Sequence, residues 1–156
     1  MNGGRWMRIY PTLRSAVLAM AIVLPSGAVV AAEPRNMTQA EVNEVLRSTP
    51  DVYNGLYLAA VVNEIARRCD TLGGPNRLAR TTYFLGLYNQ ARRLGFTRAQ
   101  IEAFVEDAGE RARMETLVRN YIESKGARSD DPASICALGR DEMAAGTAIG
   151  RRLTER

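Results

Sequence analysis

The chain has 156 residues, 46% of them apolar, 24% charged and 6% aromatic, with two cysteines and no histidine. Such a composition suits one folded domain and is too apolar for a disordered chain. The missing histidine excludes Ser-His-Asp and Cys-His nucleophiles and His-ligated zinc, and two thiols cannot build a four-thiolate site. No metal and no cofactor is expected.

Arg5, Arg8 and Arg14 precede an apolar run from Ala16 to Val30, interrupted at Pro25-Ser26-Gly27 and followed by Ala31-Ala32. A basic head, a short apolar stretch, a helix breaker and small residues at −3 and −1 predict a signal peptide over residues 1–32, cut after Ala32. The remaining 33–156 is then a single helical domain. The run falls short of the roughly 20 residues that span a bilayer, and no later stretch is long enough. The mature form is therefore expected to be soluble and periplasmic, with no transmembrane segment. The leader removes three of the 21 basic residues and none of the 17 acidic ones, so the formal +4 falls close to neutral. Nucleic acid binding, which needs a basic stripe, loses its support. Trp6, the single tryptophan, leaves with the leader.

Export favours pairing Cys69 with Cys136, the alternative being two buried free thiols. Closing a loop of about 70 residues is worth about 4 kcal/mol in the chain-entropy model. With no C-x-x-C, a redox-active role is not expected.

In chain order, the first helix opens with a capping box, Thr38 and Glu41, and a staple of Met37 on Val42. A second helix follows at Pro50, with Thr49 as its cap, and carries Val52, Tyr53, Leu56, Tyr57, Val61 and Ile65 at helical period to Cys69. Leu72-Gly73-Gly74-Pro75 stops it. A third runs from about Asn76 to Leu94, with Leu78, Phe84, Leu85, Leu87, Tyr88, Ala91 and Leu94 as a wide apolar face. Gly95 then supplies a C′ cap, with Phe96 behind it. Thr97 and Gln100 form a second capping box for the fourth helix, and Phe96 staples onto Ile101. The apolar phase shifts past Gly109, and Asp107 with Glu110 repeats the capping-box spacing, which favours a bend near Asp107 over the alternatives of a break there or a helix running straight through. Lys125-Gly126 ends that helix. The last starts at Asp131-Pro132 and carries Ile135, Leu138, Met143, Ile149 and Leu153. Gly139, Gly146 and Gly150 lie near one stripe and predict close approach to a neighbouring helix. Strand alternation is absent. These elements predict an all-α fold, a compact bundle of four to five helices closed by one disulfide.

The stretch from Asp130 through Cys136 to Arg140, Gly146-Thr147-Ala148-Ile149-Gly150 behind it, and Ala66-Arg67-Arg68-Cys69-Asp70 resemble a domain-of-unknown-function family of small exported alphaproteobacterial proteins. The similarity runs from about Asp51 to Leu153. It implies a signal peptide, a helical fold and a Cys69–Cys136 bond, and no activity.

Chemistry-bearing residues are few. The acid sets Glu106/Asp107/Glu110, Asp130/Asp131 and Asp141/Glu142 would serve a hydrolase only if two carboxyls faced one cleft. The residue pattern favours solvated, ion-paired helix faces and caps instead, with Arg111 and Arg113 beside Glu106 and Glu110. Glu64, Arg67 and Arg68 crowd the end of the second helix and, with Arg77 and Arg80, form a candidate partner-binding set. The third helix adds Arg92 and Arg93 around Tyr83 and Tyr88, a set suited to anionic headgroups or an acidic partner. Tyr53, Tyr57 and Tyr88 are candidates to line a small-ligand pocket. The leading expectation is a non-catalytic interaction or accessory protein with a periplasmic or membrane-associated partner. A small-ligand binder and a carboxylate-dependent hydrolase follow it.

Overall fold

Helices begin where the sequence supplies caps. In the computed structural model, which describes Glu33 and residues 36–156, both capping boxes form. The Thr38 side chain accepts from the Glu41 N–H, and the Glu41 carboxylate accepts from the Thr38 N–H at 2.7 Å, opening α1 (Gln39–Arg47). Thr97 and Gln100 do the same for α4 (Arg98–Glu106). Between them lie α2 (Pro50–Arg68) and α3 (Arg77–Arg93), the latter capped by Asn76. Thr49 precedes α2 without capping it; its hydroxyl donates instead to the Val45 carbonyl at 2.7 Å. The predicted signal peptide over 1–32, with Trp6, lies outside the described residues.

The expected bend near Asp107 is a full break. Asp107 has extended backbone (ψ 123°), and its side chain accepts from the Glu110 N–H to start α5 (Ala108–Ser124). The described residues therefore hold six helices, not four to five. Gly126 (φ 78°) closes α5, with N–H bonds from Gly126 and Ala127 back to the Glu123 and Ile122 carbonyls. That is a Schellman motif.

The last helix, α6 (Pro132–Ala144), is capped by Asp131 and stops well before Leu153. Gly146 (φ 60°) is the reason: it sits at C′, and the N–H groups of Gly146 and Thr147 return to the carbonyls of Met143 and Glu142. Gly146 thus ends a helix rather than packing against one. Gly139 and Gly150 do mark close approaches. A Cβ on Gly139 would crowd Leu72 and Ile65, and one on Gly150 would overlap the backbone of Glu142. The chain continues through a 3-10 turn (Gly150–Arg152) into β2 (Thr154–Glu155), which pairs antiparallel with β1 (Leu72–Gly73). This two-residue ladder carries no alternating pattern, and its partners are more than 80 residues apart, so local reading gave no sign of it.

Two apolar clusters hold these elements. One gathers Val42, Leu46, Val52, Ala91, Phe96, Ile101 and Phe104 from α1, α2, α3 and α4. The other gathers Val61, Val62, Ile65, Cys69, Leu72, Val118, Ile122, Ile135, Leu138, Ile149 and Leu153. Cys69, the C-cap of α2, is bonded to Cys136 in α6, with 5.1 Å between their Cα atoms. Beside that cluster the Glu142 side chain is buried in a polar knot. It accepts from Tyr121 and Thr147 hydroxyls at 2.5 Å each and lies 3.0 Å from the Lys125 ammonium. The Thr147 hydroxyl in turn accepts from the Gly150 N–H at 3.0 Å, which fastens the tail to α6. Burial alone would raise the Glu142 pKa, but the donors from Thr147, Tyr121 and Lys125 outweigh it and hold the carboxyl below its usual value.

Gly55 lets α3 approach α2. A Cβ there would press on Leu87, and the Tyr83 hydroxyl donates to the Gly55 carbonyl at 2.9 Å. Of the wide apolar face expected on α3, only Leu87 and Ala91 are buried; Leu78, Phe84, Leu85 and Leu94 stand exposed. Among the described residues the helix packs mainly on α2 and α4.

Candidate functional site

Helical spacing builds a groove between α2 and α5. Ala60, Asn63, Glu64 and Arg67 recur at i, i+3, i+4 and i+7 along one face of α2, joined by Arg68. Arg111, Met114, Glu115, Val118, Arg119 and Ile122 recur in the same way along α5, and Ser129 closes one end. The space enclosed is about 610 Å³. Val118 and Ile122 are buried in its floor, while the charged residues form its walls.

Electrostatically the groove is positive, with four guanidiniums against two carboxylates. Glu64 organises one wall. Its carboxylate takes Arg67 at 2.7 Å and Arg68 at 2.9 Å. Burial would raise the Glu64 pKa, but both guanidiniums together pull it below the ordinary range, so the group stays ionised. One carboxylate thus holds two cations in place and neutralises only one of them. On the other wall Arg111 has no side-chain hydrogen bond or ion pair among the described residues, and Arg119 donates only to the Thr116 hydroxyl at 3.3 Å. The Ser129 hydroxyl oxygen is buried without a partner among the described residues. Free planar forks above an apolar floor suit a carboxylate or phosphate attached to an apolar body.

The candidate set from the sequence divides here. Glu64, Arg67 and Arg68 line the groove; Arg77 and Arg80 are exposed on α3 and do not. Sequence reading missed Arg111, Arg119 and Ser129. It placed Arg111 and Arg113 beside Glu106 and Glu110 on one helix, but the break at Asp107 puts Glu106 on α4 and Glu110 on α5. Glu110 pairs with Arg47 of α1 at 2.8 Å, with Arg113 more distant at 3.8 Å. That frees Arg111 for the groove. The periodic Arg111, Glu115 and Arg119 beside Met114, Val118 and Ile122 was the signal available.

The other candidates diverge. Asp107 and Asp131 cap helices, Asp130 pairs with Arg128 at 2.9 Å, and Glu142 is held in the knot described above. None of the three acid sets therefore places two carboxyls across a common cleft. Among the described residues no group of three His, Cys, Asp or Glu side chains is placed to hold a metal ion. Tyr53 packs with the α1–α4 cluster, its hydroxyl buried and unpartnered, whereas Tyr57 meets Tyr121 edge to face at 6.3 Å in the other cluster. Tyr88 alone of the three tyrosines lines an apolar groove of about 340 Å³ with Leu56, Phe84, Leu87, Phe104 and Val105.

Fold and groove together define a class: a disulfide-linked, all-helical domain bearing an arginine-lined cleft, in which no helix of the described residues is long and apolar enough to cross a membrane. The chain belongs to the family of unknown function DUF5333, whose model matches residues 44–154. No curated protein and no solved structure matches it.

Proposed function

We propose that this protein is an exported, non-catalytic recognition module. Its residues 1–32 are a cleaved signal, its domain of residues 33–156 is periplasmic, and its α2–α5 groove receives an acidic segment of a partner protein. The observation that carries this reading is Arg111, without a side-chain hydrogen bond or ion pair among the described residues, and Arg119, which donates to the Thr116 hydroxyl alone, lining the same groove as Arg67 and Arg68 over an apolar floor. The disulfide fits an oxidising compartment. A partner segment with carboxylates flanking an apolar residue would satisfy both walls and floor.

The test is fluorescence anisotropy with labelled peptides of Asp/Glu-Leu, Ser-Leu and Lys-Leu composition. The acidic peptide should bind at least tenfold more tightly than the neutral one and weaken as salt rises. Arg111→Gln with Arg119→Gln should abolish that preference while circular dichroism stays unchanged. Equal binding of all three peptides, or an unaffected double variant, removes the reading. Intact mass after export should give a chain beginning at Glu33 and lacking tryptophan emission; a retained leader removes the localisation.

The apolar groove beside Tyr88 supports a second reading, a small apolar ligand, since its size and lining fall in the range of ligand sites. Val105→Arg should then lower the uptake of an apolar dye.

A further inference from the structure

Four of the six large hydrophobic residues that stand exposed among the described residues belong to α3 or its C-cap: Leu78, Phe84, Leu85 and Leu94. Leu78 is 76% and Leu85 54% exposed. They are seven residues apart, on the side of the helix opposite the buried Leu87 and Ala91. The same helix carries Arg77 and Arg80 at its start, Arg92 and Arg93 at its end, and no acid. All four are exposed; Arg92 donates to the Phe96 carbonyl at 2.6 Å, and the other three make no side-chain hydrogen bond or ion pair among the described residues. At Gly86, midway along, nothing beyond the helix's own backbone lies within 4 Å of where a Cβ would stand.

Two such helices would repel each other, since each brings four positive charges and no negative one, so a second copy is a poor occupant. A protein helix is also a poor fit. It needs a concave seat, whereas here two leucines project from a single helix and stand exposed among the described residues. A soft anionic medium fits both features, because it moulds around projecting apolar side chains and offers phosphates to arginines at each end. With 17 residues the helix is about 25 Å long, enough to lie along a headgroup layer with its leucines dipping in between Arg77 at one end and Arg92 and Arg93 at the other. We infer that α3 docks this protein on an anionic phospholipid surface, with Leu78 and Leu85 inserted and Arg77, Arg92 and Arg93 on the phosphates; Arg80, one heptad before Leu87, lies on the other side of the helix. This face is separate from the α2–α5 groove, and the inference does not rest on it.

Both apolar clusters lie within residues 37–153, so the oxidised chain from Glu33 onward is the sample, free of the apolar leader. It is spun with vesicles of phosphatidylcholine alone and of equal parts phosphatidylcholine and phosphatidylglycerol. Each arginine near an anionic surface strengthens binding about fivefold, so the mixed vesicles should sediment the protein at least tenfold more strongly, less so as salt rises. Leu78→Glu with Leu85→Glu, both at exposed positions, should lose that binding, and so should Arg77→Gln with Arg93→Gln. Arg111→Gln with Arg119→Gln should leave it intact. Equal sedimentation with both vesicles, none with either, or leucine variants that bind like the parent would overturn the inference. Binding to an acidic amphipathic peptide in place of vesicles would overturn it in favour of a protein partner.

Discussion

The two apolar clusters are built by different means. The one formed by α1, α4 and the near parts of α2 and α3 rests on short-range devices: two capping boxes, a glycine C-cap before Phe96, and nine-residue helices whose apolar faces meet. The one around Ile65, Ile122 and Ile135 rests on long-range ones: the Cys69–Cys136 bond, the Glu142 knot and the β1–β2 pair. Devices that act within four residues can be read along the chain. Devices that join residues far apart in the chain, 67 positions in the case of the cysteines, are set by the packing of whole helices. The difference also predicts where each half is vulnerable.

The largest effect is expected from Cys69→Ser with Cys136→Ser, which should cost about 4 kcal/mol. Hydrogen exchange should show the loss concentrated around α6 and the tail, with α1 and α4 still protected. Uniform loss of protection would show that the clusters unfold as one. Glu142→Ala should come next, at about 3 kcal/mol in urea titration, because it strands the Tyr121 and Thr147 hydroxyls and the Lys125 charge.

Acid sharpens that second effect. The Glu142 carboxyl is held below its ordinary value of 4.5. Its contribution is therefore complete above that value and disappears as pH falls through the depressed one. The urea midpoints of the parent and Glu142→Gln should converge as pH drops below 4.5; a constant gap would mean the knot does not depend on charge. A smaller change belongs to the other cluster. Thr97→Ala removes one capping box and should cost about 1 kcal/mol, opening α4 first. The smallest is Arg98→Gln, whose partner Glu102 is also exposed, and no measurable change in melting is expected.

How much of this was legible follows the same division. Thr38, Thr97, Asn76 and Asp131 announced helix starts because an oxygen two or three residues ahead of an amide is a local fact. Gly95 announced a helix end for the same reason. The even cysteine pair was legible through compartment chemistry and count. Gly146 was misread because spacing cannot tell a glycine that bends the chain from one that admits a neighbour; only its positive φ decides. Leu78 and Leu85 were read only as part of an apolar face, since periodicity reports a face and not whether anything covers it. Arg111 and Arg119 went unnoticed because their meaning depends on α2 lying alongside, and Glu110 found its partner in Arg47, 63 residues back.

The placement of Cys136 has a consequence for the order in which the protein is made. Every buried residue of the α1–α4 cluster lies between Val42 and Phe104, so that half has all its parts once synthesis passes α4. The other half needs a thiol 67 positions after its partner. During that interval Cys69 is a lone sulfhydryl, open to exchange with any passing small disulfide, which would leave half of itself on the cysteine and release the other half as a thiol. An oxidation catalyst that works only on nearly completed chains would spare it that detour.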